Sequence, residues 1–275
     1  MPELPEVETY CRRLRGCAPQ HPTLLRREIR AAHLVWPGVV AEPAPGVFRR
    51  RIAGQRVRDV SRRGKFLQLR LSHDLLLMHL RMSGSLRLAR DGDPLPPHTR
   101  IWLQLGRGWR LVFRDPRKFG RVWLTADPIP TLGQLGPEPL AADFGARDLQ
   151  ARLRRHRRQL KPLLLDQRFL AGIGNIYADE ALHRARLHPQ QRSDELAPDA
   201  AQRLWRSIRA VLRSAIRCNG TSFDGVYGGG GFLARLRVYR RTGQPCRRCG
   251  APIQRIVVAQ RGTHVCPHCQ PPPGI

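Results

Sequence analysis

Four cysteines near the end of the chain have a spacing that could bind a metal ion. Cys246, Cys249, Cys266 and Cys269 form a C-x2-C-x16-C-x2-C array. Two such pairs supply the four thiolate ligands that Zn²⁺ takes in tetrahedral structural sites. Two disulfides are the alternative, but they would require an oxidising compartment. The array therefore predicts one structural Zn²⁺ ion, which stabilises a segment too small to bury a core of its own.

The residues between the two cysteine pairs predict a β-hairpin. Two β-type runs, Ile256–Val258 and Thr263–Val265, flank the tripeptide Gln260-Arg261-Gly262. Together with the metal ligands, this pattern is typical of a zinc ribbon whose hairpin tip presents Arg261.

The first residues of the chain could carry nucleophilic chemistry. If Met1 is removed, Pro2 becomes a secondary α-amine, which titrates near ~8 rather than the ~10.4 of lysine and is therefore more often neutral at pH 7. Attack of this nitrogen on the anomeric carbon of a sugar would expel a base and leave an iminium ion, with Glu3 transferring protons. Taken alone, the pattern carries little information, because Pro5 and Glu6 also suit the start of a helix.

The charge of the chain is strongly unbalanced. It has 49 Lys and Arg against 21 Asp and Glu, a net charge of +28, and 41% hydrophobic residues that suffice for an ordinary core. Such an excess of cations indicates a polyanionic partner. Nucleic acid fits better than a membrane, because the longest apolar run, Leu75–Leu80, has only six residues. The start Met1-Pro2-Glu3 lacks the layout of a signal peptide. We therefore expect a cytoplasmic protein that binds nucleic acid and no membrane.

Apolar periodicity predicts the elements that must position these groups. The stripe Leu4, Val7, Cys11 and Leu14 predicts an N-terminal helix that ends near Gly16.

From about residue 57 to residue 124 the pattern alternates with a period of two. Leu67, Leu69 and Leu71 alternate with polar residues, and Gly and Asp punctuate the runs, which predicts an antiparallel β-sandwich. Beyond a proline-rich linker, a stripe from Leu204 to Ile216 indicates a helix. The expected fold class is α+β, with an N-terminal helix and antiparallel β-sandwich in residues 1–132, a helical domain in 133–232 and the zinc ribbon in 233–275.

The motifs of the chain resemble, in the same order, those of the formamidopyrimidine-DNA glycosylase family. The similarity begins at Met1–Glu6, ends in the zinc ribbon and covers essentially the whole chain. The intervening motifs are Gly64–Leu67, His79–Gly84, Asp115–Gly120, Gly136–Leu140 and Gly172–Glu180. This resemblance implies that residues 133–232 form a helix–two-turns–helix DNA-binding domain.

The resemblance implies catalytic roles for four residues. Pro2 corresponds to the Schiff-base nucleophile and Glu3 to the general acid/base. Lys65 corresponds to a hairpin lysine that contacts phosphate and assists β-elimination. Arg261 matches the ribbon-tip arginine that binds the phosphate beside the lesion and is assigned to δ-elimination.

The resemblance also implies DNA-binding residues. Met82, Arg117 and Phe119 match a wedge that fills the space left by an extruded base, and this offsets part of the few kcal/mol that extrusion costs. Glu6 is either a supporting site residue or a helix-start carboxylate, and Glu180 is expected to support the N-terminal amine or the helical motif. The remaining implied DNA contacts are His98, Arg157 and Asn175.

The implied function is that of a bifunctional DNA glycosylase/AP lyase of base excision repair. It would remove formamidopyrimidines and 8-oxoguanine through a Schiff base on Pro2, and then cleave the strand by β,δ-elimination. The expected partner is double-stranded DNA containing an oxidised base or an abasic site, bound by a monomer associated with the nucleoid.

Two alternative functions remain open. An endonuclease VIII-type enzyme would prefer oxidised pyrimidines, but the opening Leu4–Glu8 and the spacing of Arg117 and Phe119 favour the purine enzyme. A non-catalytic zinc-ribbon protein that binds damaged DNA would not need the Pro2-Glu3 terminus.

One segment departs from the family pattern. In the family, a longer loop covers the flipped oxidised purine, whereas here Ser222–Tyr227 is short and leads into a run of four glycines. Glycine is costly to order, and a ring-opened base flips more readily than 8-oxoguanine. We therefore expect a larger advantage of formamidopyrimidine over 8-oxoguanine than in members with the full loop.

Overall fold

The computed structural model describes residues 1–17, 22–221 and 230–274. These residues fall into two compact units. The first comprises the described residues up to 134, and the second comprises residues 135–221 and 230–274. The helical segment and the ribbon thus belong to one unit, and the domain boundaries at residues 132 and 232 stay predictions. The segment expected to cover the flipped base, Ser222–Tyr227, lies outside the described residues.

The first unit opens with helix α1 (Leu4–Arg15), as the apolar stripe predicts. Leu4, Val7, Cys11 and Leu14 are all buried. Gly16 ends the helix with φ 77°, a left-handed conformation that glycine adopts without steric cost.

Two sheets form the sandwich of the first unit. The strands are β1 (Ile29–Leu34), β2 (Val40–Glu42), β3 (Asp59–Arg63), β4 (Phe66–Arg70), β5 (Leu75–His79), β6 (Ser85–Arg90), β7 (Thr99–Leu105), β8 (Trp109–Arg114) and β9 (Arg121–Thr125). One sheet has the order β1-β7-β8-β6 and the other β2-β9-β5-β4-β3. All neighbouring strands pair antiparallel except β2 and β9, which run parallel. This one pairing differs from the expected antiparallel sandwich, because the alternation of residues does not report strand direction.

A single apolar cluster fills the first unit. It joins residues of both sheets to α1 and to helix α2 (Pro45–Ile52), whose Phe48 and Ile52 are fully buried. Leu67 and Leu69 are likewise 0% exposed, as their alternation with polar residues predicts. A short helix α3 (Ile129–Leu132) lies in the proline-rich linker.

The second unit contains four α-helices, a short 3₁₀ helix (Phe232–Arg235) and a two-stranded hairpin in its described residues. Most residues of helix α6 (Asn175–Ala185) are buried, including Asp179, Glu180 and His183, which is uncommon for ionisable side chains. The elements are α4 (Ala146–Arg154), α5 (Leu160–Leu165), α6 (Asn175–Ala185), α7 (Pro198–Arg217), β10 (Gln254–Val258) and β11 (Arg261–Val265). Among the described residues, no helix has the length and apolar character needed to cross a bilayer.

Candidate active site and nucleic-acid interface

The N-terminus places Pro2 immediately before a fixed helix start. Met1 is 45% exposed, whereas Glu3 is 2% exposed. The backbone N–H of Glu3 donates a hydrogen bond to Oε2 of Glu6 at 2.8 Å. Glu6 is therefore a helix-start carboxylate that also fixes the peptide following Pro2.

Lys65 lies in the two-residue turn between β3 and β4. Gly64 precedes it with φ 56°. The lysine is 6% exposed, so it packs into the protein rather than extending into solvent. The pKa of nearby His79 is lowered to about 3, chiefly by burial and additionally by the positive charges of Arg81 and Lys65. His79 is thus neutral, and its Nδ1 accepts the Arg81 N–H at 3.1 Å.

Two loops of the first unit expose the predicted wedge residues. Met82 and Phe119 are each 47% exposed, which is high for large apolar side chains. The guanidinium carbon of Arg117 lies 4.7 Å from the ring centroid of Phe119, within cation–π range.

Asp115 ties these loops together. Its carboxylate is 1% exposed and accepts the Ser83 hydroxyl as well as the Gly120 N–H at 2.7 Å. The Arg117 N–H also approaches Asp115 Oδ1, at 3.3 Å. Gly120 is required here, because a Cβ on it would lie 2.4 Å from Cζ of Phe113. One buried carboxylate therefore aligns the loop of Met82 with that of Arg117 and Phe119.

His98 lies on a third loop of the same cluster. Its carbonyl accepts the Asp115 N–H at 3.0 Å. Arg81, His98 and Lys118 have φ of 52°, 66° and 59°, in the left-handed region that side chains other than glycine seldom adopt. Strained residues of this kind concentrate at binding sites. We call residues 80–84, 96–100 and 115–120 the wedge loops.

In the second unit, the four predicted metal ligands converge. The Sγ atoms of Cys246, Cys249, Cys266 and Cys269 all lie within 4.8 Å of one another. Specific separations are 4.0 Å for Cys246–Cys269 and 3.4 Å for Cys249–Cys266. Tetrahedral Zn²⁺ with bonds of ~2.3 Å places its thiolates ~3.8 Å apart, so the residues fit this ion. The protein binds one structural zinc ion here.

Arg261 lies at the ribbon tip, which comprises residues 258–263. It is exposed and begins β11 opposite Val258. The two turn residues, Ala259 and Gln260, have φ of 45° and 61°. This is the conformation of a tight hairpin turn that normally favours Asn and Gly.

The start of α6 holds the ribbon tip. Nδ2 of Asn175 donates to the carbonyl of Gly262 at 3.1 Å, and Nζ of Lys161 donates to the same carbonyl at 3.0 Å. Lys161 also donates to Oγ1 of Thr263 at 2.8 Å. The structure therefore brings Asn175 into contact with Gly262, the residue that follows Arg261. Both Asn175 and Arg261 are predicted to contact DNA.

Lys161 and Asp179 form a buried ion pair that sequence reasoning missed. Nζ and Oδ1 are 2.7 Å apart, and both side chains are 0% exposed. Asp179 Oδ2 accepts the backbone N–H of His264 at 2.9 Å. A lysine within the apolar run Leu160–Leu165 was the available signal, because such a charge is buried only with a partner.

Glu180 holds a different part of the ribbon. Its carboxylate accepts the backbone N–H groups of Arg237, Val238 and Tyr239, at 2.9 to 3.0 Å. Burial raises its pKa, and these donors partly oppose that shift. Glu180 thus supports the segment that enters the ribbon.

Arg157 is a loosely held cation of the second unit. It lies between α4 and α5, its side chain is 86% exposed, and its nearest described ion-pair partner, Asp194, is 3.9 Å away. A guanidinium held this loosely is available to a phosphate.

Three domain families match the sequence. Residues 1–122 match the formamidopyrimidine-DNA glycosylase N-terminal domain, 135–225 match the formamidopyrimidine-DNA glycosylase H2TH domain, and 243–272 match the zinc finger found in FPG and IleRS.

Curated relatives and solved structures match over nearly the full length. The formamidopyrimidine-DNA glycosylase of Chloroflexus aurantiacus is 46% identical over 98% of each chain. That of Herpetosiphon aurantiacus is 44% identical over 98% of this chain and all of the relative. A structure of the Lactococcus lactis protein with DNA containing N7-benzyl-Fapy-dG has a TM-score of 0.91 at 35% identity, covering 98% of this chain and 100% of that one.

Proposed function

The chain belongs to the formamidopyrimidine-DNA glycosylase family, and from this premise we propose how its own residues carry out the reaction. The protein is a DNA glycosylase of base excision repair with AP lyase activity. It acts on oxidised purines, formamidopyrimidines and 8-oxoguanine, in double-stranded DNA.

Pro2 is the nucleophile. After removal of Met1, its neutral nitrogen attacks C1′ of the damaged nucleotide, the N-glycosidic bond breaks, and the base departs with the bonding electrons. The C1′–N bond becomes an iminium ion when the nitrogen loses its proton and the C1′–O4′ bond of the sugar breaks. Glu3 transfers the protons in these steps, including the one that O4′ gains as the ring opens. The observation that carries the proposal is the buried Glu3, whose backbone is fixed by Glu6 at 2.8 Å directly after Pro2.

Lys65 and Arg261 assist strand cleavage. The iminium ion acidifies the C2′ hydrogens, so loss of one proton expels the 3′ phosphate, and a second elimination expels the 5′ phosphate. Lys65, on the two-residue turn between β3 and β4, assists the first elimination. Arg261 assists the second elimination by binding the phosphate that leaves. The hydrogen bonds of Asn175 and Lys161 to the neighbouring Gly262 carbonyl hold Arg261 in place for this role.

The wedge loops stabilise the extruded state. Met82 and Phe119 present apolar surface to the vacated stack, and Arg117 supplies donors to the unpaired base. Because Asp115 aligns the loops before DNA arrives, little conformational entropy is lost on binding. His98, Asn175 and Arg157 contact the phosphates.

Borohydride trapping tests the nucleophile. The substrate is a duplex with one 8-oxoguanine opposite cytosine, and reduction of the iminium ion leaves a covalent adduct. We expect the adduct from the processed protein, none when Met1 is retained, and a residual amount from Pro2→Gly. Glu3→Gln should reduce excision strongly, whereas Glu8→Gln on the same helix should not. A wild-type rate of adduct formation with a blocked terminus would refute the assignment.

The same assay separates the alternatives. A non-catalytic damage-binding protein forms no adduct. Binding alone does not exclude the endonuclease VIII-type preference, because a structure of the L. lactis protein contains DNA with an oxidised pyrimidine. Single-turnover excision of an oxidised pyrimidine faster than of a formamidopyrimidine would favour that alternative.

Lesion preference depends on the segment Ser222–Tyr227. We propose that its short length and the run of four glycines that follows it give formamidopyrimidine a larger advantage over 8-oxoguanine than in members with the full loop. Single-turnover excision of both lesions opposite cytosine measures this. Equal rates, or faster removal of 8-oxoguanine, would contradict the proposal.

The charge of +28 supports association with the nucleoid in the cytoplasm. Neutralising about six phosphates predicts a slope near −5 in log affinity against log salt concentration. Affinity for undamaged DNA that does not change between low and physiological salt would contradict this electrostatic account.

A further inference from the structure

Helix α6 presents one polar face to the ribbon. Asn175, Asp179 and His183 are spaced by four residues, so they lie above one another on the same side of the helix. Each of them contacts the ribbon hairpin or its metal ligands. Their ribbon partners are Gly262, His264 and Cys246, respectively.

His183 is the member of this face that lies against a metal ligand. It is 0% exposed, and its Nε2 lies 3.5 Å from Sγ of Cys246. Its Nδ1 has no hydrogen-bond partner among the described residues.

The surroundings of the two ring nitrogens of His183 determine which of them carries the proton. A proton on Nδ1 would leave a buried donor unpaired and would point the Nε2 lone pair at the lone pairs of sulfur. A proton on Nε2 points at the sulfur instead. The favoured tautomer is therefore Nε2–H donating to Cys246.

A zinc ion held by four thiolates carries a formal charge of about −2, which N–H donors to sulfur disperse. The backbone N–H of Arg248 donates to Cys246 at 3.5 Å, and that of Cys269 donates to Cys266 at 3.4 Å. Among the described residues, His183 supplies the side-chain donor to this set from another part of the fold.

We propose that His183 is a positioning residue of the zinc centre, whose Nε2–H···Sγ hydrogen bond makes the Cys246 thiolate less reactive and slows loss of the metal. The bond also connects the ligand set to the helix whose first residue, Asn175, holds the ribbon tip. The proposal rests on the zinc ion that the four cysteines fit. It does not depend on the glycosylase reaction.

Zinc transfer to a chelator tests the proposal in the full-length zinc protein. His183→Phe fills a similar volume without a donor, and we expect zinc transfer and alkylation of Cys246 to be ~10–100-fold faster, the range typical of lost outer-shell partners. His183→Gln keeps a donor and should restore part of the protection. His188→Phe is the matched control, because this histidine lies in the same unit and its Nδ1 bonds to Gln190 rather than to a cysteine.

Two spectroscopic measurements separate a hydrogen bond from a packing effect. In the Co²⁺-substituted protein, loss of the donor should move the sulfur-to-cobalt charge-transfer band of His183→Phe to lower energy, with His183→Gln between it and wild type. In wild-type protein loaded with ¹¹³Cd, the Nε2 proton should show scalar coupling to the metal through the hydrogen bond.

The ¹¹³Cd measurement needs no substitution, so it decides the matter even if the variants fold poorly. Absence of the coupling, with the ring proton found on Nδ1, would overturn the proposal. Wild-type zinc transfer and an unshifted cobalt band in folded His183→Phe would overturn it as well, whatever the melting temperature does.

Discussion

The wedge loops and the ribbon tip are both proposed to contact DNA, yet they are held in place by different forces. The wedge loops stand on a sandwich with a large apolar core and need one buried carboxylate, that of Asp115, to align them. The ribbon tip stands on a small hairpin whose core cluster consists largely of the metal ligands. It requires the zinc ion and the buried Lys161–Asp179 pair as well.

This difference shows what a small element needs in order to present a side chain rigidly. Apolar burial scales with the size of the element, so a short hairpin gains too little from it to remain ordered. Metal coordination and buried charges replace that gain, but removing one partner leaves the other desolvated and unpaired. We therefore expect a single substitution to disorder the ribbon tip completely, whereas a single substitution in the wedge loops should weaken their alignment only in part.

Loss of zinc should have the largest effect. Cys249→Ser removes one of four ligands, and structural zinc contributes an apparent ~10–16 kcal/mol in small zinc domains. We expect loss of zinc, disorder of the ribbon and loss of DNA binding, while the sandwich stays folded. Metal analysis, DNA-binding titration and thermal melts measure these outcomes. Cys218→Ser, outside the ligand set, is the control; full activity in zinc-free protein would contradict the prediction.

Breaking the buried ion pair should come next. Lys161→Met leaves the Asp179 carboxylate buried without its cation, which typically costs ~3–5 kcal/mol. Urea denaturation should show this loss, and Lys161→Met/Asp179→Leu should recover a large part of it. Arg203→Met, which breaks an exposed pair with Asp199 on α7, should leave the midpoint unchanged. A double variant no more stable than the single one would refute this reading of the pair.

Acid should destabilise the first unit through His79. Its pKa is about 3 in the folded protein against 6.5 ordinarily, so the unfolded chain takes up the proton first as pH falls. This contribution to stability is complete above pH 6.5 and is lost at about 1.4 kcal/mol per pH unit as the pH falls from 6.5 towards 3.

Urea midpoints followed by tryptophan fluorescence at several pH values measure this loss, because four of the five tryptophans lie in residues 1–134. His79→Gln should flatten the pH dependence, and His73→Gln, an exposed histidine of the same unit, should not. Equal slopes in the two variants would exclude His79 as the cause.

Weakening the Asp115 link should have a moderate effect. Asp115→Asn removes hydrogen bonds to a charged acceptor, worth about 1.5–3 kcal/mol. We expect a modest loss of stability and slower excision of 8-oxoguanine, with cleavage at a preformed abasic site less affected because less extrusion is required. Asp127→Asn, exposed after β9, is the control. Equal losses on both substrates would show that the wedge loops do not act in extrusion.

Relieving strain at the ribbon tip should have the smallest effect. Ala259 has φ 45°, and the left-handed conformation costs about 1 kcal/mol for residues with a Cβ. Ala259→Gly should therefore slow zinc transfer to a chelator slightly. Ala251→Gly, in the same ribbon but without positive φ, should not slow it. Faster metal loss in Ala259→Gly would mean that backbone entropy outweighs the relief of strain.

Features that depend on local spacing could be predicted before the fold was known. The cysteine array predicts zinc because tetrahedral coordination requires only four ligands at suitable intervals. Helices α1 and α7 follow from apolar stripes of helical period, and Leu67–Leu71 from alternation. The order of the motifs identified the family and, with it, the candidate residues from Pro2 to Arg261. Strands β1 and β2 and helix α2 were not predicted.

Long-range packing of the folded chain determines which buried polar groups meet. Ser83 and Asp115 are 32 residues apart, Lys161 and Thr263 are 102 apart, and His183 and Cys246 are 63 apart. Periodicity reports which face of an element is buried, but it does not report what packs against that face. A buried polar group is stable only with a partner, and the partner is selected when the whole chain has folded.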